Sequence, residues 1–129
     1  MPLSIKNQTR RRLPRISFEK MSERVLGKKY DLSLVFIGQA ASRRLNRVYR
    51  GKDYPANVLA FPLAESSGEI FIDLSRVERE RLKFGQSFNR FLFFIFIHGL
   101  LHLKGMDHGD TMEQAEHRLL NVATNSHWY

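Results

Sequence analysis

Between positions 87 and 103 lies an apolar segment that any fold of this chain must enclose. Phe91, Leu92, Phe93, Phe94, Ile95, Phe96 and Ile97 follow one another without a polar break. Their aromatic and β-branched character would suit a buried strand. Length decides otherwise, because apolar residues continue through Leu100, Leu101 and Leu103 before Gly105. About 17 residues read best as one helix, buried on most faces and stopped near the glycine. The run 91–97 is far below the roughly 20 residues that span a bilayer, and His98 and His102 interrupt its continuation, so no membrane span is expected.

The other predicted elements are short. Positions 3–7 alternate as an edge strand would, and 16–26 set Phe18, Met21, Val25 and Leu26 near one helical face, with Gly27 as the stop. Positions 31–37 read as a strand, half to fully buried. A helix over 40–49 has Ala41, Leu45 and Val48 inward and Arg43, Arg44 and Arg47 mostly outward. Positions 50–55 are a loop by their Gly and Pro content. Strands follow at 57–61 and 69–73, joined through Pro62 and a turn at Ser66, Ser67 and Gly68. Asp73 or Ser75 caps a charged helix reaching about Phe84, and a last helix over 111–122 carries Met112, Ala115, Leu119 and Leu120. Five helices against three or four strands give an α/β or α+β sandwich.

A chain of 129 residues, 43% hydrophobic and 26% charged, is expected to form one domain over 1–129 and is neither disordered nor fibrous in composition. With no cysteine, disulfide scaffolds and thiolate metal sites are excluded, and any metal must be held by imidazole, carboxylate or carbonyl groups. The net charge of +8 favours a polyanionic partner. That charge is concentrated, since residues 1–52 carry 14 Lys and Arg against 3 Asp and Glu while the rest carry 7 against 10. Basic runs are usually solvated surface, so charge alone does not decide the function. Arg10, Arg11, Arg12 and Arg15 occur without an acid in the first 18 residues, as in an organellar transit peptide, but no apolar signal core follows. The stretch is read as mature protein.

The most specific string is His98-Gly99-Leu100-Leu101-His102-Leu103-Lys104-Gly105-Met106-Asp107-His108. Residues four apart on a helix project from one face, so His98 and His102 form a chelating pair. A left-handed turn at Gly105 would bring His108 toward the same point. Three neutral imidazoles with an open fourth position characterise a catalytic zinc site. Core histidines at chance spacing are the plainer alternative, and His117 and His127 fit no such pattern. The spacing satisfies that of the metzincin peptidases, but Gly99 stands where those enzymes have a glutamate base and cannot move a proton.

The glutamate-less string resembles the signature of the YbeY family of metal-dependent endoribonucleases. Residues 49–62, with Arg50, Lys52, Asp53 and the Val58-Leu59-Ala60-Phe61-Pro62 stretch, resemble that family's second block, and residues 68–72 resemble the Gly-Asp-Ile strand that follows it. Ala60 and Glu69 depart from the family's usual Ser and Asp, and the chain is shorter at both ends than many members. The resemblance implies a small mixed β-sheet of about four strands packed with helices, a zincin-like metal helix, and one Zn²⁺ on His98, His102 and His108 at the mouth of a basic cleft. It implies a catalytic role for Arg50, whose guanidinium could clamp the scissile phosphate. RNA contacts are expected from Arg43, Arg44, Arg47 and Lys52.

The function so implied is zinc-dependent, single-strand-specific cleavage of ribosomal RNA during its maturation and in ribosome quality control. The expected partners are ribosomal RNA and the small ribosomal subunit with its assembly factors, and the expected location is the cytoplasm. Two alternatives stay open: a ribosome-associated RNA-binding factor with a structural metal, and a metalloprotease-like hydrolase. The base remains open among zinc hydroxide, a second water and the RNA 2′-hydroxyl.

Overall fold

The computed structural model describes residues 3–129; Met1 and Pro2, part of the expected domain, lie outside the described residues. Four strands form one mixed sheet: β1 (Leu3–Asn7), β2 (Asp31–Ile37), β3 (Val58–Ala64) and β4 (Ser67–Asp73). Their spatial order is β1-β2-β4-β3, with β1, β2 and β4 parallel and β3 antiparallel at the edge. Pro62 sits inside β3, longer than the expected 57–61. An edge strand tolerates a residue without an N–H, and the register shifts between Pro62 and Ala64. Ser67 and Gly68 belong to β4, which leaves Glu65 and Ser66 as the turn.

Helices α1 (Phe18–Leu26), α2 (Gln39–Arg50), α3 (Leu74–Lys83), α4 (Phe88–Leu103) and α5 (Asp110–Asn125) complete the fold. The 91–97 run is helical, as its length requires, and its surroundings explain why it can be apolar on nearly every side. Helix α4 packs against α1, α3, α5 and the strands β3 and β4. Phe93, Phe96, Leu92 and Ile97 are fully buried, and Phe18 meets Phe96 edge-on at 5.0 Å between ring centroids. Leu32, Leu34 and Phe36 of β2 join this core, while Val35 and Ile37 are buried outside that cluster, so β2 is covered on both faces.

The helix ends follow local chemistry. The Asp73 carboxylate accepts from the backbone N–H of Ser75 and Arg76 at the start of α3, and the Ser87 hydroxyl accepts from that of Arg90 in α4. Helix α2 corrects two expectations. It extends through Arg50, which closes the helix before a left-handed Gly51 and is not in the loop. Val48 is exposed, and the buried face is made by Ser42 and Asn46. Both are polar because they face the backbone of the loop after α2. Ser42 Oγ donates to Ala56 O at 2.6 Å and accepts from Ala56 N at 2.9 Å, and Asn46 Nδ2 donates to Tyr54 O at 2.8 Å. Among the described residues, no helix is long and apolar enough to cross a membrane.

Candidate metal centre

The last turn of α4 and the residues after it build the site. His98 and His102 lie one turn apart, and α4 ends at Leu103 in a six-to-one and five-to-two pair of backbone bonds. Met106 N donates to Leu101 O, Gly105 N donates to His102 O, and Gly105 takes φ +97°. This reversal carries His108 back onto the pair. The three rings lie 4.6, 5.0 and 4.8 Å apart between centroids. One ligand nitrogen from each falls within 4.8 Å of the others, a spacing that could hold a metal ion.

Hydrogen bonding orients two of these rings. His102 Nδ1 lies 3.1 Å from the carbonyl oxygen of Met106, which can only accept, so that nitrogen carries the proton. His98 Nδ1 lies 3.3 Å from a carboxylate oxygen of Glu116 on α5 and donates in the same way. In the neutral rings this leaves each Nε2 as the lone-pair nitrogen, and the two Nε2 atoms lie 3.1 Å apart. Two lone pairs at that separation repel one another unless a cation or a proton lies between them, so the donor set fits a divalent metal. Burial, reinforced by His98 and His108 close by, lowers the proton affinity of His102 below the ordinary imidazole value. The neutral form that binds metal is thereby favoured.

Gly99 is the residue that lets α4 approach the sheet here. A Cβ at this position would stand 3.1 Å from Val58 Cγ2 and 3.2 and 3.3 Å from two Ile70 atoms. A glutamate where the metzincin pattern requires one would crowd Val58 and Ile70, so the peptidase reading lacks its base at a position that is also tightly packed.

The histidines open into a cleft of about 620 Å³ whose walls include β3 residues 58–61, loop residues 54–57, Arg50, Arg76 and Glu80. Arg50 is the one predicted basic residue on this lining. Arg43, Arg44, Arg47 and Lys52 are exposed and lie outside that lining. Arg43 makes a two-pronged contact with Asp53, at 3.0 and 3.2 Å, and Arg47 approaches the same carboxylate at 3.8 Å. The Arg43 guanidinium holds the Asp53 carboxyl below its ordinary value. Asp53 is thus engaged by its α2 neighbours, and among the described residues Arg50 makes no ion pair with it or with Glu69.

Four lining or supporting residues escape sequence reasoning. Asn57 donates to Glu80 at 2.9 Å and Arg76 pairs with the same carboxylate at 3.3 Å, all three on the cleft wall. Nothing local marks Arg76 and Glu80, because α3 reads as an ordinary charged surface helix. Glu116 did leave a signal. It falls between Met112 and Leu120 on the buried stripe of α5, where an apolar residue belongs. His117 and His127 stay apart from the cluster.

The family model described as Endoribonuclease YbeY matches residues 3–124. A protein of that name from Chlorobium phaeovibrioides is 32% identical over 134 residues, covering 95% of this chain and 90% of that protein. One from Chelativorans is 39% identical over 104 residues, which cover 70% of this chain and 64% of that protein. A solution structure from Thermotoga maritima superposes with a TM-score of 0.65 at 24% identity, covering 97% of this chain and 91% of the other. That likeness concerns the fold.

Proposed function

The chain belongs to the YbeY family of endoribonucleases, and on that premise we propose that it is a single-domain, metal-dependent endoribonuclease that processes ribosomal RNA. The proposed cofactor is one Zn²⁺ per chain, held by His98, His102 and His108. The observation that carries this reading is the convergence of three imidazoles whose other ring nitrogens, on His98 and His102, are already engaged by Glu116 and Met106. With no thiolate in the chain and no carboxylate in the cluster, a three-nitrogen set suits zinc. When bound, Zn²⁺ supplies a Lewis acid for a phosphoryl oxygen and makes water acidic enough to deprotonate near neutral pH.

The chain's own residues supply the rest. Arg50, at the end of α2 and on the cleft lining, is proposed to bind the scissile phosphate, where its planar paired donors match two oxygens of a developing dianion. Arg43, Arg44, Arg47 and Lys52 extend positive charge away from the cleft along α2 and its loop, a track for neighbouring phosphates. Cytoplasmic location and action at the small ribosomal subunit with its assembly factors complete the proposal.

The test compares the metal-loaded protein with His98→Ala. A folded variant that still binds single-stranded ribosomal RNA fragments but no longer cleaves them is expected. Equal cleavage by the two proteins would overturn the assignment. RNA binding without metal-dependent cleavage by the unaltered chain would favour a binding factor with a structural metal.

A further inference from the structure

Helix α5 is amphipathic, and its buried side reads Met112, Ala115, Glu116, Leu120 and Ala123. Glu116 is 5% exposed. A carboxylate on an apolar stripe is destabilising unless something opposite it requires the charge or the hydrogen bond. Opposite Glu116 is His98 Nδ1, at 3.3 Å. No requirement of helix or sheet formation explains this acid, because an apolar residue would continue the stripe and pack against α4 as its neighbours do.

From this geometry we infer that Glu116 is a positioning residue for the metal. Its carboxylate accepts a hydrogen bond from His98 Nδ1–H, which fixes the ring's rotation and tautomer and presents Nε2 to the cluster. A ligating imidazole whose other nitrogen is bound to a carboxylate is the more basic donor, and the nearly buried negative charge offsets that of a divalent cation held by three neutral ligands. His102 obtains the equivalent orientation from a backbone carbonyl, that of Met106, so the two α4 ligands are supported differently. The Met106 carbonyl comes from the helix-ending turn and cannot be removed by a side-chain change. The Glu116 support can be, and it rests on α5, so the packing of α5 on α4 becomes a condition for the site. His108, on the loop between the two helices, has no such partner among the described residues.

The inference rests on the metal-site reading given above, and the experiment separates the two. Full-length protein stripped with a chelator is titrated with Zn²⁺ against a chromophoric competitor, and with Co²⁺ to read the ligand-field spectrum, for the unaltered chain, Glu116→Leu and Glu116→Gln. Glu116→Leu restores the apolar stripe, so the metal-free melting temperature should hold or rise while affinity falls about 10- to 100-fold. Glu116→Gln keeps an acceptor for Nδ1–H without the charge, so its affinity should lie between those two and its Co²⁺ spectrum should stay closer to that of the unaltered chain. Unaltered affinity in Glu116→Leu would overturn the inference alone. So would affinity losses that track equal losses of metal-free stability in both variants, which would mark Glu116 as structural. Failure of the unaltered chain to bind either metal would instead overturn the metal-site reading itself.

Discussion

Replacing Ser42 by Ala tests how the cleft wall is held. Ser42 is 1% exposed, and its hydroxyl both donates to and accepts from the backbone of Ala56, closing the loop between Gly51 and β3 against α2. Alanine leaves the N–H and C=O of Ala56 without that partner. A buried backbone group left unpaired costs about 1–3 kcal/mol. Ala56 is only partly buried, so water recovers part of the loss for the two groups together. Alanine also regains up to about 0.5 kcal/mol of helix propensity. The net destabilisation is about 1–2 kcal/mol, equivalent to a fall of roughly 4–8 °C in melting temperature for a chain of this size. Urea unfolding gives the free energy directly, and the slope with denaturant should stay unchanged. Because the loop carries Tyr54, Ala56 and Asn57 on the cleft lining, KM for RNA should rise more than kcat falls. A free-energy change below about 0.5 kcal/mol, the range of ordinary surface substitutions, would refute this account of the loop.

Arg50→Lys keeps the charge but loses the paired donors, so cleavage should fall by about one to three orders of magnitude with melting temperature and metal content unchanged; unaltered cleavage rates in a folded, metal-loaded Arg50→Ala protein would contradict the role. Gly99→Val drives a branched side chain into Val58 and Ile70 and should destabilise by about 1–3 kcal/mol in chemical denaturation, whereas full stability would mean that α4 does not need its close approach. Burial raises the Tyr30 phenol above its ordinary value of 10.0. The folded state thus favours the neutral ring, and the stability this contributes is complete below about pH 10 and lost as pH rises through the folded value. Tyr30→Phe should therefore make the alkaline loss of stability shallower; superimposable curves would exclude the linkage.

Much of this architecture was legible because single residues carried unambiguous signals. The bounds of β1 and β2 follow from alternation, and α4 follows from the length of its apolar run together with Gly105. The histidine cluster was legible for the same reason, since helical spacing and one helix-ending glycine suffice to bring His98, His102 and His108 together. Apolar periodicity places Val48 inward, but the buried face of α2 serves loop backbone rather than an apolar core, and periodicity counts only apolar residues. Pro62 and Gly68 look like breakers in the sequence, which hides the full extent of β3 and β4; the first is tolerated at an edge, and the second is buried against Tyr30 and Leu103. Asn57, Arg76 and Glu80 meet only through the pairing of β3 with β4 and the placement of α3, which no local pattern encodes.

Under the proposed function, RNA cleavage depends on one metal held by three imidazoles. Metal content and cleavage of a ribosomal RNA fragment, measured on the same full-length preparation as purified, after chelation and after re-addition of Zn²⁺, test it most directly. One metal per chain, an X-ray absorption shell containing three imidazole nitrogens, and activity that disappears and returns with the metal are predicted. Well under one metal per chain, an oxygen-only shell, or cleavage indifferent to the chelator would contradict it.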